Sequence, residues 1–132
     1  MIVTLYRVGR NLNRAVRTCE AFGVRDLHLL ECHHARLSGH LFGATGRVHI
    51  ETIEDWPDGN HVCALETHYP MPIYDIPWHE CEGILIGGET AGLPSAAPAQ
   101  YHAHIPMVGR VSGLTVEAAL AIALYEWRRQ IS

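Results

Sequence analysis

The stretch that decides the fold runs from Leu85 to Arg129 and reads LIGGETAGLPSAAPAQYHAHIPMVGRVSGLTVEAALAIALYEWRR. Short apolar runs in it lead into Gly87-Gly88, into Ile105-Pro106-Met107, and into Gly113-Leu114-Thr115 ahead of a long apolar helix. Glycine lets a backbone approach a ligand closely, and the first turn of a helix offers unpaired N–H groups. These loops therefore predict a small-molecule pocket built largely from main chain.

Apolar runs typical of strands alternate with helical patterns along the chain. Strands are predicted at Ile2–Val8, Asp26–Glu31, Val48–Thr52, Val62–Glu66, Leu85–Gly87 and His102–Met107. Helical segments are predicted at Asn11–Gly23 (with Asn11 as N-cap and Gly23 as C-cap), Leu37–Thr45, Pro94–Ala99 and Leu114–Gln130. The segment Tyr69–His79 holds three prolines and is expected to be extended and irregular. This alternation predicts an α/β fold with a mainly parallel sheet flanked by helices.

Length and composition limit the class of protein. The 132 residues are 48% hydrophobic and 18% charged, which predicts one folded domain over 1–132 and argues against disorder. No apolar run approaches the roughly 20 residues that span a bilayer, so we expect no membrane partner and a cytoplasmic location. The four widely spaced cysteines are expected to be buried thiols. His33, His34 and His40 lack a carboxylate or cysteine that would complete a spaced ligand set, so no metal is expected.

Charge is distributed unevenly along the chain. All ten basic residues are arginine, and seven of them lie at or before Arg47 against three acids. The rest of the chain has three arginines and eleven acids. The first third could therefore face phosphates, although the net charge of −4 gives no overall nucleic-acid signal.

The first predicted helix separates its faces. Leu12, Val16 and Cys19 share one side, and Arg10, Arg14 and Arg17 share the other. An arginine face of this kind is either solvated or binds a ligand. The helix follows the first strand directly, at the sheet edge where open α/β folds place ligands, so both interpretations remain open.

The last predicted helix is apolar nearly all round from Leu114 to Leu124. Such a helix is buried on most sides. In a domain of this size, one way to bury it is a subunit interface, so we expect a homodimer formed through the C-terminal helix.

Three motifs, in this order, resemble the SpoU/TrmH-type branch of the SPOUT RNA 2′-O-ribose methyltransferases, over nearly the whole chain. The first is the asparagine and arginine pair Asn11 and Arg17 after a strand. The second is the turn GGETAGLP at 87–94, and the third runs from IPM at 105–107 to YEWRRQ at 125–130. Within this branch, the chain looks most like the small tRNA wobble-position members.

The resemblance implies properties that composition could not show. It implies a deep C-terminal trefoil knot, which is a rare exception to unknotted topology. It also implies S-adenosyl-L-methionine as cofactor, a tRNA or other RNA substrate, and a homodimer. By position, the cofactor pocket would use Leu65, Glu66, Gly87, Glu89, Ile105, Met107 and Leu114.

The resemblance also implies roles for polar residues. Arg17 would stabilise the developing alkoxide or hold the adjoining phosphate, Asn11 would order the first-motif loop, and Tyr125 would lie near the target nucleotide. Arg7, Arg10 and Arg14 would bind RNA.

Two positions depart from the family pattern, in which asparagine stands at Thr115 and serine at Glu117. Glu117 could cap its own helix, act as a base, or repel RNA. The leading hypothesis is RNA 2′-O-methylation. The alternatives are a catalytically silent RNA-binding or cofactor-binding homodimer, and another small nucleotide-binding α/β protein.

Overall fold

A computed structural model describes residues 1–9, 12–33 and 44–132 of the protein. In these ranges the elements are β1 (Ile2–Tyr6), α1 (Asn13–Ala21), β2 (Asp26–Leu30), α2 (Ala44–Arg47), β3 (His49–Ile53), β4 (Val62–Leu65), β5 (Met71–Pro72), β6 (Gly83–Gly87), β7 (Tyr101–His104) and α3 (Val116–Ile131). The strands form one sheet in the order β3-β2-β1-β6-β4-β7-β5, and every pairing is parallel. The predicted parallel α/β fold is therefore confirmed. The trefoil knot stays a prediction.

The two faces of the sheet are covered differently. On one face, α1 and α3 pack against alternate strand residues such as Val3, Leu5 and Leu27, all of which are fully buried. On the other face, the cluster around Tyr6 and Leu85 is covered, among the described residues, by loop segments within 54–61 and 88–99. Helices α1 and α3 therefore lie on the same face of the sheet. Their N-termini lie beyond the carboxyl ends of the strands.

Helix α1 begins one residue later than an Asn11 cap would allow. Leu12 is the N-cap residue and makes no side-chain capping bond, and Asn11 lies outside the described residues, as does Arg10. At the other end, Phe22 is the C-cap and Gly23 follows it with φ of 78°. Glycine tolerates this left-handed conformation, which explains why the helix stops there.

One face of helix α3 is buried within its own chain. Leu120 and Leu124 are 0% exposed and belong to the core formed with α1 and the sheet. Two short 3₁₀ turns, Ile73–Asp75 and Trp78–Glu80, cover another side of the helix. The proline-rich segment that was expected to be irregular is thus part of the packing. The apolar character of α3 at these leucines does not require a second subunit.

Leu124→Ala should destabilise the fold by roughly 2–5 kcal/mol, the cost of truncating a fully buried leucine. Urea unfolding followed by circular dichroism measures this. Ile131→Ala is the matched control, because Ile131 is 40% exposed on the same helix. Equal losses in the two variants would contradict the assignment of Leu124 to the core.

Other local predictions were refined or fall outside the described residues. The segment 94–99, which was expected to form a helical turn, forms a turn closed by a bond from Ala97 N to Pro94 O. Most of the helix predicted at 37–45 lies outside the described residues, as do His34 and His40. Among the described residues, no group of three His, Cys, Asp or Glu side chains could hold a metal. Within the same ranges, no helix is both long and apolar enough to cross a bilayer.

The cysteines are unpaired thiols, as predicted. Cys19, Cys63 and Cys81 are buried, and Cys32 is partly buried. Burial raises the pKa of Cys19 and of Cys81 to about 12. Because the thiolate is the reactive form, these side chains serve packing rather than nucleophilic chemistry.

The connection from β3 to β4 is unusually short. Residues 54–61 lead from the edge strand β3 past β2, β1 and β6 to β4. Val62 is level with His49 in the sheet, so the connection covers about 23 Å from strand spacing and rise. The eight residues between Ile53 and Val62 make nine Cα–Cα steps, which reach at most about 30–32 Å. This crossing segment therefore spans four strand spacings with little slack, although it includes a turn closed by a bond from Val62 N to Gly59 O at 3.3 Å. Parallel crossovers normally use a dozen or more residues.

Candidate functional site

A cavity of about 480 Å³ opens where β4, β6 and β7 end and α3 begins. Its walls come from residues 65–68, 86–93, Ile105, Met107, 112–116 and Ala119. All seven residues that were assigned to a cofactor by position line it: Leu65, Glu66, Gly87, Glu89, Ile105, Met107 and Leu114. The volume is in the range of small-molecule pockets. The carboxyl edge of a parallel sheet is where open α/β folds bind ligands.

The loop after β6 is folded back by main-chain and carboxylate contacts. Gly88 N donates to Tyr6 O at 2.8 Å, and Gly92 N donates to Gly88 O at 2.8 Å. Leu93 N donates to the Glu66 Oε1 carboxylate oxygen at 2.6 Å. Gly92 has φ of 64°, and a Cβ there would lie 2.7 Å from Glu66 Oε1. Glu66 therefore holds the loop in place as well as lining the cavity, a role that the sequence did not indicate.

Gly87 and Gly88 are required by close backbone approach. A Cβ on Gly87 would lie 2.6 Å from Gly92 O and 2.8 Å from Leu93 N. A Cβ on Gly88 would collide with Arg7 O. From the sequence, these glycines were expected to let a ligand come close to the backbone. In the structure, other backbone segments of the same chain come close to them instead, and this contact shapes the cavity wall.

Helix α3 begins at the cavity. Thr115 Oγ1 caps the helix by accepting a bond from Ala118 N at 3.4 Å. Val116 N donates to Glu89 Oε1, also at 3.4 Å. Thr115 is thus the residue that caps the helix, a role that the sequence analysis had considered for Glu117. Glu117 instead pairs with Arg14, with Nη1 and Oε1 3.3 Å apart.

The cavity is acidic. Glu66 and Glu89 line it, and none of the arginines in the described part of the chain does. A carboxylate attracts a cationic group in a partly desolvated site and repels an anionic one. The cavity therefore suits a ligand that carries positive charge near its centre.

The polar residues assigned to catalysis lie outside this cavity. Arg17 is exposed on α1, one turn beyond Arg14. Tyr125 is 63% exposed, and its ring contacts Phe22 edge-on at 6.5 Å. Tyr125 is nine residues beyond Val116, about 13 Å along the helix axis. One chain by itself therefore assembles the predicted cofactor residues but does not bring Tyr125 to them.

The arginines assigned to RNA lie at the same end of the sheet. Arg7 directly follows β1, and its guanidinium contacts Glu31, which directly follows β2. Arg14 lies in the first turn of α1. Residues 10 and 11, also assigned to the site, are outside the described part of the chain.

Comparison with known proteins gives consistent matches. The profile of the SpoU rRNA Methylase family matches residues 1–125. The chain is 28% identical over 133 residues to the uncharacterized tRNA/rRNA methyltransferase YfiF of Escherichia coli O157:H7, covering 91% of this chain but only 39% of that protein. The chain thus spans well under half the length of this curated relative.

Solved structures share the fold. The TrmH/SpoU tRNA modifying enzyme of A. aeolicus superposes with a TM-score of 0.83 at 24% identity, over 98% of this chain and 74% of that one. A structure concerning the 2-OH methylation of C/U34 on tRNA has a TM-score of 0.81 at 28% identity, over 98% and 89%. The SpoU methyltransferase AviRb of Streptomyces viridochromogenes, solved with AdoMet, has a TM-score of 0.80 at 22% identity, over 100% and 58%.

Proposed function

Because the chain belongs to the SpoU rRNA Methylase family of RNA methyltransferases, we propose that it methylates the 2′-hydroxyl of a ribose in tRNA, with the wobble position as the target. S-adenosyl-L-methionine is the methyl donor. The observation that carries the proposal is the cavity at the carboxyl edge of the sheet, which all seven residues assigned to the cofactor line.

The charge of the cavity supports this donor. S-adenosyl-L-methionine supplies an electrophilic methyl group on a positively charged sulfur. Glu66 and Glu89 place two carboxylates in the cavity wall, and opposite charges attract strongly where water is partly excluded. Both carboxylates also hold backbone N–H groups of the wall itself. Their position is therefore fixed before a ligand arrives, which reduces the cost of ordering the site on binding.

Two further requirements of the reaction concern the ribose hydroxyl that receives the methyl group. A ribose hydroxyl has to be held in line with the methyl group, which is mainly a matter of positioning. The oxygen then needs a proton acceptor or a cation as negative charge develops on it. A guanidinium stays protonated, so Arg17 acts by stabilising the oxygen or holding the adjoining phosphate rather than by taking the proton.

The choice of substrate rests on one of the matched structures. The structure that concerns C/U34 of tRNA is 28% identical and is covered to 89% of its length. The chain thus matches nearly the whole length of that solved chain, at the highest identity of the three structures compared above. This favours the tRNA wobble ribose over a ribosomal RNA target.

Methyl transfer to tRNA tests the function directly. Unmodified tRNA transcripts are incubated with the protein and methyl-labelled S-adenosyl-L-methionine, and the labelled nucleotide is mapped by nuclease digestion. We expect label at nucleotide 34 and none when that nucleotide carries 2′-deoxyribose. Label that persists on the deoxy transcript would indicate base methylation. Cofactor binding without transfer to any RNA would favour a catalytically silent homodimer.

A second copy of the chain is part of the proposal, because Tyr125 does not line the cavity of its own chain. On α3, Ile122 and Tyr125 are 39% and 63% exposed and share a face at i, i+3 spacing. We propose that this face forms the homodimer contact and carries Tyr125 to the partner's site.

Ile122→Glu should convert the dimer to a monomer, because a buried unpaired carboxylate is costly. Ile131→Glu is the matched control: Ile131 is 40% exposed and lies on the opposite side of the helix. Light scattering gives the mass of each variant. A dimeric Ile122→Glu protein would place the interface elsewhere.

A further inference from the structure

Both arginines that are assigned to RNA and lie in the described part of the chain are held by carboxylates. Arg7 donates through Nε and Nη2 to Glu31 Oε1, at 3.1 and 2.9 Å. Arg14 Nη1 lies 3.3 Å from Glu117 Oε1. The partners are 24 and 103 residues apart in sequence, so the fold brings them together.

The two pairs flank the cavity. Arg7 and Glu31 end adjacent parallel strands, and the backbone oxygen of Arg7 is in close contact with Gly88 in the cavity loop. Glu117 is next to Val116, which lines the cavity. An RNA whose ribose enters the cavity would place its backbone phosphates along this rim.

The backbone at the first pair indicates a site under constraint. Arg7 has φ of 52° and Glu31 has φ of 54°, and both residues carry a side chain in the left-handed region. Such conformations are uncommon for residues other than glycine and cluster at ligand clamps and switch regions. Here two such residues are adjacent, at the ends of neighbouring strands. Their backbone conformations direct the guanidinium of one toward the carboxylate of the other.

We propose that Glu31 and Glu117 act as internal phosphate mimics, which occupy Arg7 and Arg14 until RNA phosphates replace them. This rests on the proposed function, since it concerns the same RNA. Carboxylates and phosphates present oxygens to a guanidinium in similar geometry. The side chains are 53% and 42% exposed in the first pair and 81% and 33% exposed in the second. Exposed pairs of this kind are weak, so a phosphate can displace the carboxylate.

The proposal implies that the protein discriminates between RNAs. A polyanion that reaches only one arginine gains little binding free energy, because it has to displace a carboxylate from that arginine. An RNA that fits the cavity places phosphates at both arginines together and displaces both carboxylates. Glu31 and Glu117 therefore weaken all RNA binding somewhat, and they weaken poorly fitting RNA most.

Glu117→Gln and Glu31→Gln should tighten the binding of unmodified tRNA transcript, by up to about fivefold each. For this tRNA, each variant should leave the slope of log affinity against log salt nearly unchanged, because the wild type makes the same phosphate contacts once its carboxylates are displaced. Fluorescence anisotropy at four salt concentrations measures both quantities. Glu20→Gln is the matched control: it removes the same charge from a similar pair, with Arg47 at 2.8 Å, near the start of the strands at the opposite end of the sheet.

A double mutant separates specific from general effects of charge. In an Arg14→Gln background, Glu117→Gln should gain no more than Glu20→Gln does, because no guanidinium remains to be uncovered. If Glu117→Gln and Glu31→Gln match Glu20→Gln in affinity in the wild-type background, the phosphate-mimic proposal is wrong even though RNA binding stands. If neither the wild type nor the double Glu→Gln variant binds RNA, the RNA part of the proposed function fails with it.

Discussion

A valine in place of Gly87 is expected to abolish binding of S-adenosyl-L-methionine. The new Cβ would stand 2.6 Å from Gly92 O and 2.8 Å from Leu93 N, closer than packed atoms approach. Both neighbours are backbone atoms of the loop that Glu66 holds through Leu93 N. The loop would have to move away, and the cavity would lose the wall between β6 and α3. Calorimetric titration should show no heat at concentrations that saturate the wild type.

Gly109→Val is the matched control for this change. Gly109 lies in the segment between β7 and α3, and a Cβ built on it meets no atom within 4 Å. The control should therefore keep cofactor binding, and circular dichroism should show both variants folded. Wild-type affinity in a folded Gly87→Val protein would show that this cavity does not hold the cofactor.

Arg17→Ala is expected to lower the single-turnover rate of methyl transfer by roughly 100-fold or more, as when one preorganised charge-stabilising donor is removed. Arg17 does not line the cavity, so cofactor affinity should be unchanged. Rapid quench at saturating tRNA and cofactor measures the chemical step apart from RNA binding.

Arg25→Ala controls for the loss of an exposed cation. Arg25 precedes β2, at the end of the sheet away from the cavity, and its replacement should leave the chemical step intact. Full single-turnover rate in Arg17→Ala would mean that the first-motif match does not identify the catalytic group. Glu117 would then be the first residue to test as proton acceptor.

The pocket was predictable from the sequence because it is made mainly of backbone. Glycine-rich strand ends such as Gly87-Gly88 indicate where main chain comes close to something, and the alternation of strands and helices indicates which edge they share. The pairings of Glu66, Glu89 and Glu117 were not predictable. Each joins segments far apart in the chain, and no local pattern specifies which backbone N–H or guanidinium a carboxylate meets.

The burial of α3 shows a second limit. An all-apolar helix has to be covered, but its sequence does not say by what. The cover here includes the turn Trp78–Glu80, where Trp78 is fully buried and its backbone N–H donates to Gln130 Oε1 at 3.1 Å. Its three prolines predicted an irregular loop, because proline removes backbone donors. Their positions do not indicate where the other side chains of the segment pack.

The crossing segment at 54–61 should tolerate insertions much better than deletions. Losing three residues would leave six Cα–Cα steps between the strands, which reach at most about 20–22 Å, less than the distance between the strand ends that they join. Lengthening costs little, since each doubling of a loop adds only about 0.6 kcal/mol of closure entropy. Variants of this protein can therefore gain residues between β3 and β4, including a whole helix over the thinly covered face, but they cannot lose three without unpairing a strand.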